Sequence, residues 1–172
     1  MEKACIQVYT GNGKGKTTAA IGQAVRAAGR GLRVCIIQFM KGQAYGEHSS
    51  LKSIEKIDIV QAGTEDCIRK EEVEQKHIDA ARQGLKIASA KIKSGDYEIV
   101  ILDEINVAIW FGLIKLSDVM KLLNAKPDNI ELILTGRYAA EEIISAADLV
   151  TEMKPVKHPY DQGLTARSGI EF

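Results

Sequence analysis

The first feature of this sequence that could do chemistry is a glycine-rich segment, residues 10–18, which reads TGNGKGKTT. Alternating glycines let successive backbone N–H groups converge on an anion at the positive end of a helix. Lys16 adds a mobile positive charge, and the Thr17 hydroxyl suits a Mg²⁺ ion bound to phosphates. The segment predicts a polyphosphate site. Its candidate contacts are Gly11, Asn12, Gly13, Lys14, Gly15, Lys16, Thr17 and Thr18.

The segment departs from the P-loop pattern G-x-x-x-x-G-K-[ST] at one position. The pattern requires glycine at position 10, where this chain has Thr10. We expect the anion cradle to persist and the placement of the phosphates in it to differ from the usual one. The alternative is a glycine-rich turn that binds nothing. The Lys-Thr pair and the flanking strand-like and helix-like segments favour the ligand.

Two carboxylates follow an apolar run farther along the chain. Residues 97–102 are almost continuously apolar and end at Asp103 and Glu104, as in a Walker B strand that delivers carboxylates to Mg²⁺ near a P-loop. These side chains could ligate the metal directly or through water, or activate a nucleophile. The alternative is that one of them caps the next helix.

Alternating strand and helix patterns surround these motifs. They predict an α/β fold with a mostly parallel sheet of about six strands and helices on both faces, like a P-loop NTPase. Ligands gather at the carboxyl ends of such strands, which adds Lys41 and Arg137 to the candidate contacts. The expected strands are 4–9, 32–39, 57–61, 97–102, 130–135 and 149–153. The expected helices follow the P-loop and cover 71–93, 117–123 capped by Ser117 or Asp118, and 139–146.

Composition limits the classes of partner. The 172 residues are 45% hydrophobic, which predicts one domain over residues 1–172. Lys plus Arg equals Asp plus Glu at 23 each, so no basic field attracts nucleic acid or a membrane surface. No stretch reaches the roughly 20 apolar residues of a membrane span, and no signal peptide is evident, so we expect a cytoplasmic location. The three cysteines predict neither a disulfide framework nor a zinc site.

Several motifs together resemble one family. The P-loop, the segment IQFMKG at 37–42, LDEIN at 102–106, TGR at 135–137 and VKHPY at 156–160 are similar to the P-loop class of ATP:corrinoid adenosyltransferases. The resemblance covers nearly the whole chain. It implies transfer of the 5′-deoxyadenosyl group of ATP to a reduced Co(I) corrinoid, in adenosylcobalamin biosynthesis or salvage, with triphosphate leaving and ATP bound in a reversed sense.

The resemblance also implies roles for residues and partners. Lys16, Thr17 and Glu104 become the catalytic candidates, with Thr17, Asp103 and Glu104 around Mg²⁺ and with Lys41 and Arg137 as further contacts. An electron-donor protein such as a flavodoxin would supply the reduced corrinoid, and the enzyme would be a homodimer. Two other functions stay open: a P-loop kinase or ATPase acting on another small molecule, and a non-enzymatic ATP-dependent corrinoid-binding protein.

The corrinoid site is less well marked. Some relatives carry a Phe and a Trp in the loop that corresponds to residues 63–69, which reads GTEDCIR here. Trp110 and Phe111 are the candidates for an apolar surface beneath the corrinoid, and the alternative for both is packing in the core. Residues 42–50 are polar and include glycine, so they predict either a loop that closes over ligand or an ordinary surface connection.

Overall fold

A central parallel sheet organises the protein in the computed structural model, which describes residues 3–171. Its six strands lie in the order β3-β2-β4-β5-β1-β6, and every neighbouring pair is parallel. The α/β fold with about six parallel strands is therefore confirmed. The strands are β1 (Ile6–Thr10), β2 (Val34–Phe39), β3 (Ile57–Ala62), β4 (Ile99–Asp103), β5 (Glu131–Thr135) and β6 (Leu149–Glu152). The helices are α1 (Lys16–Ala28), α2 (Gly46–Leu51), α3 (Gln75–Ser94), α4 (Ile105–Trp110), α5 (Leu116–Asn124) and α6 (Glu141–Ala146).

The central strands are buried on both faces because helices cover each side of the sheet. All six residues of β2, VCIIQF, are buried, as are all five of β4. Alternate residues of a strand point to opposite faces. Ile36 and Ile101 accordingly join the α1 side of the core, whereas Ile37 and Leu102 join the side covered by α3 to α6. This double burial explains why the strands read as apolar runs.

Several predicted boundaries were wrong. The long helix starts at Gln75, after a short 3₁₀ helix at Lys70–Glu72, although Gly95 ends it in the left-handed conformation as expected. Ser117 and Asp118 do not cap α5, because that helix begins at Leu116 and its N-cap position is Lys115. Residues 42–50 are only partly a loop, since α2 begins at Gly46. The last helix begins at Glu141, two residues after the predicted start.

Backbone strain is concentrated where strands end. Within residues 3–171, three non-glycine residues have positive φ: Met40 (59°), Glu104 (60°) and Tyr138 (61°). They follow the carboxyl ends of β2, β4 and β5, which are neighbours in the sheet. A left-handed non-glycine residue costs on the order of 1–3 kcal/mol, and such residues cluster at functional sites. The strain marks this edge of the sheet.

No helix within residues 3–171 is both long enough and apolar enough to cross a lipid bilayer.

Two glycine substitutions test the packing of α3 on the sheet. A Cβ on Gly84 would lie 2.4 Å from the Cβ of Ala62 and 2.9 Å from Cε1 of Phe39, whereas a Cβ on Gly22 of α1 would meet no atom within 4 Å. We expect Gly84→Ala to lower the free energy of unfolding by about 1–3 kcal/mol through overpacking. Gly22→Ala should raise it by about 0.5–1 kcal/mol through backbone entropy. Urea unfolding of both variants measures the difference, and equal effects would contradict this packing.

Candidate active site

The phosphate-binding loop connects β1 to α1 and is shaped by its contact with Met153. Gly11 and Gly15 have φ of 95° and 121°, which L side chains rarely adopt. A Cβ on Gly11 or Gly13 would lie 2.5 Å or 2.7 Å from the Met153 carbonyl oxygen. Met153 in turn donates its N–H to the carbonyl of Thr10 at 2.8 Å. The backbone of Met153 therefore requires glycine at both positions 11 and 13.

One donor of the predicted anion cradle is already engaged inside the protein. The backbone N–H of Gly13 donates to the Met153 carbonyl at 2.6 Å. Lys16 is also turned toward the loop, because its buried ammonium donates to the Gly13 carbonyl at 2.7 Å. Burial lowers the pKa of Lys16; Arg137 adds to this effect, and Glu104 and Asp103 partly offset it. The lysine is thus a desolvated cation held by a single carbonyl.

Asp103 is the most densely hydrogen-bonded side chain of the site. The hydroxyls of Thr17 and Thr135 donate to its Oδ1 at 2.8 Å and 2.7 Å. Lys41 and Gln38 donate to its Oδ2 at 2.9 Å and 3.2 Å. A carboxylate has about four lone-pair sites, so these four donors saturate it. In this conformation Asp103 orients the groups around it, and its predicted role as a metal ligand stays a prediction.

Lys41 remains a cation in this setting. Burial alone would lower its pKa, but the charge of Asp103, the hydrogen bond to it and the charge of Glu47 outweigh burial and leave the pKa above its usual value. The Lys41 ammonium lies 3.6 Å from Glu47 Oε1 and 5.1 Å from the centre of the Tyr45 ring. Tyr45 and Glu47 belong to the turn of chain around the start of α2, so Lys41 ties that turn to Asp103.

The side chain of Glu104, the next residue in the chain, has a different environment from that of Asp103. Among residues 3–171, no hydrogen bond or ion pair engages its carboxylate, and the side chain is only partly buried. Its backbone N–H donates to the Thr135 hydroxyl at 2.9 Å. Burial, reinforced by the charge of Asp103, raises the pKa of the Glu104 carboxyl. Glu104 occupies the N-cap position of α4, but its side chain makes no capping hydrogen bond. The capping alternative is therefore wrong for this residue.

Most of the predicted contacts border one cavity of about 780 Å³. The P-loop lies on one side of it, and Glu104 and Arg137 follow strands β4 and β5. Three predicted residues, Gly11, Asn12 and Asp103, do not line the cavity. The predicted residues that do are Gly13, Lys14, Gly15, Lys16, Thr17, Thr18, Lys41, Glu104 and Arg137. A second cavity of about 630 Å³ lies between α3 and α5 and contains none of these residues.

The residues at this edge suit a metal ion that phosphates help to hold. The described part of the chain has no cluster of three or more His, Cys, Asp or Glu side chains arranged around a metal position. The Thr17 hydroxyl and the Glu104 carboxylate are oxygen donors, and both line the cavity. Mg²⁺ commonly takes one or two protein oxygens and completes its shell with phosphates and water. The donor set fits Mg²⁺ bound together with a nucleotide.

Three structural residues of the site escaped the sequence reasoning. Gln38, fully buried in β2, accepts a hydrogen bond at 2.6 Å on its Oε1 from Nε2 of His48. Nδ1 of His48 accepts from the Tyr45 N–H at 3.2 Å, which fixes the proton on Nε2. Thr135, at the end of β5, bridges Asp103 and the backbone of Glu104. The signal for Gln38 was a lone amide within an otherwise apolar strand.

The C-terminal residues also reach the cavity. Lys14, predicted as a phosphate contact, donates to the Ile170 carbonyl at 2.6 Å and lies 3.8 Å from Glu171 Oε1. Gly169, Ile170 and Glu171 line the cavity beside it. Lys14 is thus engaged with this segment in the present conformation.

The aromatic candidates have different environments. Phe111 is partly buried against the core. Trp110 is 41% exposed, stacks on Tyr138 with ring centres 4.3 Å apart, and lies under the ammonium of Lys70 at 4.1 Å. Core packing is therefore correct for Phe111 and wrong for Trp110.

Comparison with known proteins finds one family that this chain is similar to along nearly its whole length. The family model described as "ATP:corrinoid adenosyltransferase BtuR/CobO/CobP" matches residues 2–172. A corrinoid adenosyltransferase of Pseudomonas aeruginosa is 35% identical over 172 residues, which span 99% of this chain and 85% of the relative. One of Escherichia coli K12 is 36% identical over 174 residues, covering 99% and 87%. The protein named corrinoid adenosyltransferase CobA of Salmonella typhimurium is 34% identical with the same coverage.

The link from Gln38 to Asp103 and His48 can be tested by substitution. Gln38→Leu removes three hydrogen bonds, to Glu47, Asp103 and His48, and leaves the N–H of buried His48 without its Gln38 partner, so we expect a loss of about 1–3 kcal/mol in unfolding free energy. ATP affinity should also fall, because Asp103 and the start of α2 lose their connection. Gln61→Leu, at an exposed position of the edge strand β3, is the matched control; it loses one exposed hydrogen bond, to the Gln43 carbonyl, and should change both quantities little. Urea unfolding and ATP titration measure them; equal losses in the two variants would refute the link.

The raised pKa of Glu104 predicts a pH dependence of stability without ligand. Between the ordinary carboxyl pKa and the raised folded value, the folded state keeps a proton that the unfolded state has lost. Stability contributed by this group is complete below the unfolded pKa and is lost as pH rises through the folded pKa. Glu104→Gln should remove that loss and stabilise the ligand-free protein at neutral pH. Urea unfolding from pH 4.5 upward tests this; a parallel profile for wild type and variant would contradict it.

Proposed function

Because the chain belongs to the ATP:corrinoid adenosyltransferase family, we propose that it transfers the 5′-deoxyadenosyl group of ATP to a corrinoid in the Co(I) state and releases triphosphate. One observation carries the proposal: the P-loop, a carboxylate without a protein partner and an arginine border a single cavity of about 780 Å³. Such a cavity is large enough for a nucleotide, which commonly occupies 300–1,000 Å³ clefts. Membership of the family indicates that the second substrate is a corrinoid.

The reaction needs little proton chemistry from the protein. The Co(I) centre of the substrate supplies both electrons of the new cobalt–carbon bond, and the bond between C5′ and its phosphate oxygen breaks. The electrons of that bond leave with the triphosphate, while cobalt becomes formally Co(III). No proton is removed from the nucleophile, so no general base is required. Catalysis then depends on alignment of C5′ with cobalt and on stabilising the charge of the leaving group.

The residues of the cavity fit the task of holding a leaving triphosphate. Lys16 would exchange the Gly13 carbonyl for phosphate oxygens, which better compensate a buried cation. Arg137, an exposed residue that also lines the cavity, would bind the same anion. Thr17 and Glu104 would hold Mg²⁺, which when bound neutralises charge on the triphosphate. Asp103 would keep Thr17 and Lys41 aligned through its hydrogen bonds.

Four finer features belong to the same proposal: the electron donor, the oligomeric state, the location and the pathway. Formation of Co(I) requires a strong one-electron donor, for which a flavodoxin-type protein is our candidate. The enzyme would act as a homodimer in the cytoplasm, in biosynthesis or salvage of adenosylcobalamin. Reduction of the corrinoid by a purified flavodoxin would test the electron donor. Sedimentation analysis would test the homodimer.

A spectroscopic assay tests the reaction directly. Protein, Mg-ATP and a chemically reduced corrinoid should yield a light-sensitive alkylcobalt spectrum, with one triphosphate released for each adenosyl group transferred. Omitting the corrinoid should abolish ATP consumption. Steady release of phosphate without corrinoid would instead identify a kinase or ATPase, and corrinoid binding without any product would identify a carrier.

The role of Lys16 predicts a severe kinetic defect. Lys16→Ala should lower the turnover number about 10²–10³-fold, the usual loss on removing one group that stabilises transition-state charge. The matched control is Lys56→Ala, an exposed lysine before β3, which should retain wild-type turnover. Corrinoid binding by Lys16→Ala should remain, because the lysine contacts the nucleotide. Wild-type turnover in this variant would exclude the assigned role.

A further inference from the structure

An exposed aromatic pair lies at the strained edge of the sheet. Trp110 and Tyr138 stack with their ring centres 4.3 Å apart and an interplanar angle of 27°. Both remain open to solvent, at 41% and 48% exposure. Large aromatic side chains that stay exposed together often mark a binding surface. The sequence named Trp110 as a candidate for the corrinoid surface, and the structure adds Tyr138 to it.

Both residues of the pair are close along the chain to residues that line the nucleotide cavity. Tyr138 directly follows Arg137, which lines the cavity, and the N–H of the next residue, Ala139, lies 3.4 Å from the hydroxyl of Thr10 at the start of the P-loop. Trp110 ends α4, whose N-cap is the cavity residue Glu104. Six residues of helix span roughly 9 Å. The backbone of Trp110 therefore lies within about 10 Å of the Glu104 backbone.

The backbone at Tyr138 is strained, and burial of its side chain does not offset the strain. Its φ of 61° is left-handed, a conformation that glycine adopts freely and other residues adopt at a cost. The ring is about half exposed, so burial does not offset this cost. What the conformation provides is the position of the ring beside Trp110. Strain that is retained in this way at the edge of a site points to a role in binding.

Few large apolar side chains line the cavity itself. Most of its lining residues are glycine, lysine, threonine and other polar residues, and Ile21, Tyr45 and Ile170 are the larger apolar groups. A corrin ring has broad faces and amide groups around its edge. Ligand sites of this kind are lined by apolar and aromatic side chains, with a few polar groups for orientation. The stacked pair offers a flat aromatic surface, and Lys70 adds a cation 4.1 Å from the centre of the Trp110 ring.

We propose that Trp110 and Tyr138 form the platform that binds a face of the corrin ring and places its cobalt toward the nucleotide cavity. This inference rests on the proposed function, for which it names the surface that binds the acceptor. The platform acts on the corrinoid alone, because neither ring lines the nucleotide cavity. Loss of either ring should therefore weaken corrinoid binding and leave ATP binding intact.

Tyr138→Gly separates binding from structure. Glycine removes the ring and relieves the left-handed strain, so the melting temperature should stay the same or rise. The KM for reduced corrinoid should increase at least about tenfold, equivalent to 1.4 kcal/mol, while the KM for ATP stays within about twofold. Trp110→Leu should have the same kinetic effect, and Tyr138→Phe should retain wild-type values. Tyr160→Leu, which removes a tyrosine that is 74% exposed in the C-terminal segment, is the control.

Equilibrium dialysis with an oxidised Co(III) corrinoid tests the platform independently of turnover. A wild-type protein that binds this corrinoid but makes no alkylcobalt product would overturn the proposed function, and weaker binding by Tyr138→Gly would still support the platform. Wild-type corrinoid affinity in both Tyr138→Gly and Trp110→Leu would overturn the platform and leave the adenosyl transfer standing. A change of oligomeric state in these variants, with unchanged corrinoid affinity, would also overturn it and assign the rings to a contact between copies.

Discussion

The saturation of Asp103 by four donors is the interaction on which the candidate site depends. The donors come from α1, β2, the turn after β2 and the end of β5, so one buried carboxylate connects the P-loop helix to three neighbouring parts of the sheet edge. Charge-assisted hydrogen bonds in a dry interior are strong when every member has a partner. Through these four hydrogen bonds, Asp103 positions the other groups of the site. Glu104, one residue later, keeps a carboxylate that faces the cavity.

Asp103 and Glu104 therefore have different environments because their backbone conformations differ. Asp103 is the last residue of β4 and points into the hydrogen-bonded interior, whereas Glu104 turns into the left-handed region and borders the cavity. Met40 and Tyr138 turn in the same way after β2 and β5. Each turn costs energy that the buried strands before it must offset. The fold thus uses a rigid parallel sheet to hold strained residues at one edge, where substrates would bind.

The lysine side chains of the site have partners within the protein itself. Lys16 donates to a loop carbonyl, Lys41 is paired with Asp103, and Lys14 is engaged by the C-terminal residues. These contacts keep basic side chains ordered before an anion arrives. A polyphosphate must compete for Lys16 and Lys14, and the weak partner of Lys16, a single carbonyl, makes that exchange favourable. Lys41 is held by a full carboxylate, which favours a positioning role for it over direct phosphate binding.

The sequence determined much of this protein because its signals are local. Glycine alternation, the Lys-Thr pair and buried strands that end in Asp103-Glu104 follow from residue type and short spacing. They sufficed for the parallel α/β fold and for the elements that meet at one edge. Only the tertiary structure decided that Gln38, His48 and Thr135 join Asp103, that Gly13 is bonded to Met153, and that Tyr138 stacks on Trp110. These contacts join residues far apart in the chain or depend on positive φ angles, and neither hydrophobic periodicity nor motif spacing records which distant side chains meet.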